Sequence, residues 1–247
     1  MNSNFIPSPI IHIKDAVTDL VFPRHCPFCD GYAEFGQLLC EDCRAREKEL
    51  LIKEPWCMKC GKPIREEKEE YCLACRTKKH LFTRGRSLYE YKGFAPSIYR
   101  FKYEDRREYA EYYGKEIARF LGPEIRAWKP DVLIPVPLHE RKMRDRGFNQ
   151  AQLLAESMGK ALNIPVSANA LQRISDTLPQ KYLDPGQRHK NLQNAFKMGI
   201  SSVKSKKAVL VDDVYTTGST IDACADVLLR SGAANVYFIT LATGKGI

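Results

Sequence analysis

The chain has 247 residues, 44% of them hydrophobic, enough for one ordinary core with a smaller module attached and short for two full-sized domains. Thirty-nine Lys and Arg against 30 Asp and Glu give a net charge of +9, which favours an anionic partner: nucleic acid, a phosphorylated metabolite or an acidic surface. No run of 18 apolar residues occurs, which excludes a long apolar transmembrane helix, and the first twenty residues lack a charged region ahead of a long apolar core. A cytoplasmic protein is the expectation.

In chain order, the first feature is cysteine usage. Eight of nine cysteines fall in four Cys-x-x-Cys pairs, Cys26/Cys29, Cys40/Cys43, Cys57/Cys60 and Cys72/Cys75, and Cys224 stands alone. Paired thiols in a chain without a leader read as zinc knuckles rather than disulfides, because cytosolic thiols stay reduced. Each pair donates two thiolates, so two pairs close one tetrahedral site. The short spacers between Cys29 and Cys40 and between Cys60 and Cys72 favour joining 26/29 with 40/43 and 57/60 with 72/75, while interleaved pairing stays open. Four thiolates leave no position for water or substrate, so both sites read as structural Zn²⁺. His25 beside Cys26 reads as a packed or solvated side chain. The expected organisation is a zinc-ribbon module over residues 1–80 and an α/β domain over 81–247.

Beyond the last cysteine pair, strand-like runs occupy 87–91 (SLYEY, the weakest), 131–138 (DVLIPVPL), 208–213 (AVLVDD) and 235–242 (NVYFITLA). Apolar residues at helical spacing lie between them: Ala110 to Leu121, Ala151 to Leu162 and Ile221 to Leu228. Gly122-Pro123 closes the first, Asn163 with Pro165 the second, and Gly232 the third; Asn149 caps the start of the second. Strands alternating with helices predict a mainly parallel sheet flanked by helices, with functional loops at the carboxyl ends of the strands. The segment 82–107 interleaves Phe82, Tyr89, Tyr91, Phe94, Tyr99, Phe101 and Tyr103 with basic residues, which fits either core aromatics or a strip that stacks bases and tracks phosphates. The polar, Pro-broken stretch 171–196 predicts a long mobile loop with a short helix near its end.

Asp212 to Gly218 lies where a buried strand (Val209-Leu210-Val211) passes into a helix. Unpaired N–H groups at such a turn, hydroxyls from Thr216, Thr217, Ser219 and Thr220, and the permissive Gly218 together suit a phosphate. Thr217 or Ser219 as an ordinary helix cap, with solvated aspartates, is the plain alternative.

The string VLVDDVYTTGST (209–220) resembles the phosphoribosyl-diphosphate (PRPP) signature of type I phosphoribosyltransferases, with Tyr215 replacing the usual aliphatic residue. The resemblance implies that Asp212 and Asp213 are the catalytic acids and face the ribose hydroxyls. It also implies that Thr216, Thr217, Gly218, Ser219 and Thr220 hold the 5-phosphate and that Mg²⁺ accompanies the diphosphate. Val136, Pro137 and Leu138 then occupy the pyrophosphate loop, with Arg141, Arg144 and Arg146 in reach. Arg173, Lys181 and Arg188 are candidate cations of a loop closing over the site. IPVPLHERKMRDRGFNQAQLLAESMGKAL (134–162), FPRHCPFC (22–29), YRFKYEDRREYA (99–110) and the basic loop 173–196 are together similar to the ComF/GntX family, over nearly the whole chain. That likeness implies an α/β type I phosphoribosyltransferase-like fold with an N-terminal zinc ribbon, binding PRPP or ribose 5-phosphate. It also implies a role in DNA uptake during natural transformation, with single-stranded DNA and a competence-machinery protein such as a helicase as partners, near the membrane uptake machinery. The acceptor is unspecified. The alternative is a non-catalytic single-strand-binding or adaptor protein that keeps the pocket for sensing.

Overall fold

A computed structural model describes residues 23–64, 66, 68–175 and 195–244. Its main sheet has four strands: β1 (Arg84–Glu90), β2 (Val132–Pro135), and, after the short pair β3 (Leu171–Arg173) and β4 (Phe196–Met198), β5 (Lys207–Tyr215) and β6 (Asn235–Thr243). Their order is β1-β6-β5-β2, every neighbour pair parallel, while β3 and β4 pair antiparallel as a separate ribbon. Val209, Leu210 and Val211 are fully buried, as a central parallel strand covered on both faces requires.

Alternation along the strands feeds two cores. Leu133, Val209, Val211, Ile239 and Leu241 point to one face, where they meet α4 (Tyr109–Phe120), α5 (Gly122–Trp128) and α7 (Gln150–Leu162). Ile134, Ala208, Leu210, Val236 and Phe238 point to the other, against Ile221, Cys224, Ala225 and Leu228 of α8 (Ser219–Arg230). A Cβ on Gly114 would sit 2.2 Å from the Ser157 hydroxyl, so glycine is what lets α4 and α7 approach this closely.

The expected ends are in place with one refinement. Asn149 accepts from the Ala151 N–H at 3.1 Å, Asn163 closes α7 in the left-handed region at φ 58°, and Gly232 follows α8 at φ 90°. Gly122-Pro123 ends α4 and at once starts α5, where a proline at the first turn costs no hydrogen bond.

The segment 82–107 is not uniform. It forms β1 and then α3 (Tyr91–Tyr103), with Phe82, Tyr89, Phe94 and Phe101 in the core and Tyr91, Tyr99 and Tyr103 exposed. Residues 176–194 of the expected loop, with its short helix and the candidates Lys181 and Arg188, lie outside the described residues; β3 and β4 pair on either side of them.

The cysteine-rich segment wraps the sheet. Cys26, Leu39 and Cys43 join the first core, and Cys57 and Cys60 join the second. Between them the backbone docks on edge strand β1, through Ile52 N–H to Leu88 O (3.0 Å), Glu90 N–H to Leu50 O (3.3 Å) and Gly85 N–H to Lys59 O (2.9 Å), so the edge is covered. Among the described residues no helix is long and apolar enough to cross a membrane.

Candidate phosphoribosyl site and metal centres

The eight paired cysteines form two clusters, Cys26/Cys29/Cys40/Cys43 and Cys57/Cys60/Cys72/Cys75, each with its sulfurs within 4.8 Å of one another. Adjacent pairing is therefore the arrangement present. Cys29 to Cys40 and Cys60 to Cys72 both measure 3.7 Å between sulfurs, the edge of about 3.8 Å expected of a tetrahedron with zinc–sulfur bonds of about 2.3 Å. Each second pair opens a short helix, α1 (Glu41–Arg46) and α2 (Leu73–Thr77). In the second cluster, hydrogen bonds from Cys60 and Cys75 drive Cys57 far down, while those with Cys57 and Cys60 push Cys75 far up. Four thiols this close do not all ionise without a cation, so the donor set fits structural zinc. His25 stands apart: its Nδ1 lies 2.8 Å from the Asp30 carbonyl, and Arg106 grips the Asp30 carboxylate.

β5 runs four residues past Val211, placing Asp212 and Asp213 on the strand rather than in the turn. Asp212 is opposite Thr240, and Tyr215 is opposite Thr243. The turn proper is Thr216 to Gly218. Lys102, from the last turn of α3, lies 2.8 Å from the Asp213 carboxylate, both side chains being less than one-fifth exposed. The Asp213 N–H donates to Asp212 Oδ1 at 2.9 Å. Burial, and then the charge of Asp213, push Asp212 up to about 7 against the opposing pull of Lys102 and Arg173. Burial works against the Lys102 charge, but the two acids more than offset it and hold its ammonium above the usual lysine value.

Gly218 stands at the N-cap of α8 at φ 79°, and its carbonyl accepts the first helical bond from the Asp222 N–H at 2.8 Å. Among the described residues no side chain caps this helix, contrary to the plain reading of Thr217 or Ser219; their hydroxyls meet each other at 3.0 Å. Uncapped N–H groups, hydroxyls and the positive end of a twelve-residue helix make an anion-binding arrangement. Tyr215 is 3% exposed and stacks on Phe238 at 4.6 Å, so the unusual aromatic is a packing residue behind the loop.

At the end of β2, Val136 N–H donates to Val211 O and its carbonyl accepts from Asn149, which ties this loop to β5 and α7. Pro137 and Leu138 are half-buried and lead into a short helix, α6 (Glu140–Arg146), so the arginines stand on a helix rather than a loop. Arg141 and Arg144 are exposed there. Arg146 bonds Gln150 and the Tyr103 hydroxyl and lies over the Tyr103 ring at 4.9 Å. Arg173 ends β3, over Phe196, with its charge felt at Asp212. The acids, the Thr-rich turn, Arg146 and Arg173 thus gather around the carboxyl end of β5. Lys102 and Lys62, which contacts the turn, carry no motif; only the basic spacing of α3 and the position after Cys60 precede them in the sequence.

A parallel sheet flanked by helices, an acid pair on a central strand and a glycine-opened helix N-terminus define a type I phosphoribosyltransferase-like domain, here carrying a ribbon with two four-cysteine sites. Residues 111–246 match the phosphoribosyl transferase domain family, and residues 17–76 match the double zinc ribbon domain. Along most of its length the chain is similar to DNA utilization protein YhgH of Shigella flexneri, at 34% identity over 88% of this chain and 96% of that one. It is similar to Competence protein F of Haemophilus influenzae at 28% identity (90% and 97% covered) and to Competence protein ComFC of Bacillus subtilis at 29% (82% and 83% covered). The chain belongs to this ComF/GntX family.

Proposed function

We propose that the chain, with residues 1–80 as the ribbon module and 81–247 as the transferase-like domain, binds PRPP and transfers its phosphoribosyl group within DNA utilisation. The observation that carries this reading is the acid pair set on β5 directly ahead of the uncapped N-terminus of α8. In this assignment Thr216, Thr217, Gly218, Ser219 and Thr220 take the 5-phosphate, while Asp212 and Asp213 accept hydrogen bonds from the ribose hydroxyls. The acids' charge then stabilises the positive charge that develops on the ribose as diphosphate departs. Val136, Pro137 and Leu138 offer backbone to the diphosphate, and Arg146 and Arg173 offer fixed charge, with Arg141 and Arg144 further out on α6. The carboxylate oxygens of Asp212, raised by burial and then by its neighbour's charge, and of Asp213 fit Mg²⁺, which when bound would neutralise diphosphate. Asp213 is engaged by Lys102 in the free protein, so ligand binding draws Lys102 aside or recruits it.

Calorimetry with PRPP and Mg²⁺ tests the reading. Binding to wild type that is lost in Asp212→Asn/Asp213→Asn supports it, and absence of wild-type binding contradicts it.

One observation favours a second reading, a single-stranded nucleic-acid surface. Tyr99 and Tyr103 are more than half exposed, 5.1 Å apart, with Arg146 over Tyr103 and Arg107 over Phe148 nearby. Exposed rings and guanidiniums stack bases without sequence preference. Salt-dependent binding of an oligonucleotide that survives the acid double substitution and falls in Tyr99→Ala/Tyr103→Ala would establish this surface separately.

A further inference from the structure

The second cysteine cluster packs on the α8 face of the sheet, beside the Thr-rich turn. Lys62, two residues after Cys60 and 9% exposed, donates from Nζ to the Thr216 carbonyl at 2.5 Å and lies over the Tyr215 ring at 5.3 Å. Its own carbonyl accepts from the Cys57 N–H at 2.8 Å, so Lys62 closes the knuckle with the same residue that touches the turn. Beyond Cys75 the chain grips Asp222 in the first turn of α8. His80 Nδ1 lies 2.8 Å and Lys78 Nζ 3.1 Å from Asp222 Oδ2, and the Leu81 N–H donates to Oδ1 at 3.0 Å. Burial alone would raise the Asp222 carboxyl, but these partners hold it below the usual carboxylate range. His80 also lies behind the turn: a Cβ on Gly218 would stand 3.0 Å from its ring and 2.7 Å from the Tyr215 hydroxyl.

The geometry of one peptide gives these contacts their meaning. In a trans peptide the C=O of one residue and the N–H of the next point in opposite directions. A turn that binds an anion through N–H groups must therefore send its carbonyls the other way, and each carbonyl turned inward needs a donor. Lys62 supplies that donor for Thr216, which fixes the Thr217 N–H to point away from the ribbon. Without Lys62, a flip of the Thr216–Thr217 peptide would present a carbonyl to the phosphate instead.

We propose that Lys62 is a positioning residue for the phosphate-binding turn, latching the Thr216–Thr217 peptide, so that phosphoribosyl affinity depends on a metal-closed second ribbon site. This rests on the phosphoribosyl reading of the turn. The ribbon is then a working part of the pocket wall, and loss of the metal held by Cys57, Cys60, Cys72 and Cys75 weakens ligand binding.

The test combines PRPP calorimetry in Mg²⁺ with amide hydrogen exchange of residues 214–222 in the ligand-free, zinc-loaded full chain. Lys62→Ala should keep both zinc ions, weaken PRPP about tenfold or more, as expected for loss of a charge-assisted hydrogen bond, and speed exchange in 214–222. Lys62→Arg, which restores a donor, should recover both, and Arg76→Ala on the exposed side of α2 should change neither. Should Lys62→Ala fail to fold, Lys62→Met keeps the apolar stem over Tyr215 and serves in its place. Wild-type affinity together with wild-type exchange in the Lys62 variant overturns the proposal, as does loss that Lys62→Arg does not rescue. If wild type itself binds no PRPP, the phosphoribosyl reading fails, and exchange alone decides: faster exchange in 214–222 upholds the latch, and unchanged exchange overturns it.

Discussion

Asp212 and Asp213 share a strand, a low-dielectric setting and the Lys102 ammonium, and they divide the consequences unequally. Asp213 has the Lys102 ammonium at 2.8 Å, while Asp212 is left with burial and its neighbour's charge and is raised to about 7. A carboxyl raised on folding binds more protons in the native than in the unfolded state. Its contribution is therefore fullest below the unfolded value near 4 and is lost as pH rises through about 7. The difference in Tm between wild type and Asp212→Asn should accordingly shift in favour of Asn as pH rises from 4 to 8; a flat difference would contradict the assignment. Gly218→Ala is the other informative residue. A left-handed φ costs a residue with a Cβ about 1–2 kcal/mol, and the new methyl would strike Tyr215 and His80. Thermal denaturation should show at least that loss, and PRPP binding should fall with it. The motif made the acids and the turn legible, because the spacing of Asp-Asp and Thr-Thr-Gly is local. Lys62 was not legible, because its partner is 154 positions away and nothing near Lys62 distinguishes it from other surface-type lysines.

At the level of elements, α3 was the least legible. Its aromatics and cations admit a base-stacking strip or a core, and folding divides them: Phe94 and Phe101 go inward, and Tyr99 and Tyr103 outward. Periodicity was blurred by Pro96 within the helix and by a polar face that is itself aromatic. The element's last turn delivers Lys102 to Asp213. Removing one partner of a buried ion pair costs about 3–5 kcal/mol. With both side chains retaining some exposure, Lys102→Ala should sit near 3 kcal/mol by denaturant unfolding, and Lys102→Ala/Asp213→Asn should recover part of it. β5 is longer than its sequence suggests. The strand-like run of 208–213 overlaps a turn expected over Asp212 to Gly218, and pairing with β6 carries the strand to Tyr215, so the two carboxylates ride on a strand. The alternation of buried positions that made the α/β sheet legible is local, whereas strand ends are set by pairing with a neighbour.

For the whole molecule, the ribbon is a clamp around the edge of the sheet rather than an appendage. Its first knuckle sends the Pro27 and Phe28 carbonyls to Ser97 and Arg100 of α3, the helix that carries Lys102. Its second sends Lys62 to the turn. Both parts of the candidate site, the acids and the Thr-rich turn, are thus backed by a cysteine knuckle. Clustered cysteines made two structural zinc sites legible. Their packing on opposite faces was not, because it depends on contacts across more than half the chain. Metal analysis should give two zinc ions per chain, and Cys75→Ser should lower that to one with a marked fall in Tm. The most direct test of the account is a crystal structure of the zinc-loaded chain with ribose 5-phosphate. The phosphate should lie on the backbone N–H groups of Thr216 to Thr220, with the ribose hydroxyls on Asp212 and Asp213. A phosphate bound instead on α6 at Arg141 and Arg144, with the turn empty, would contradict it.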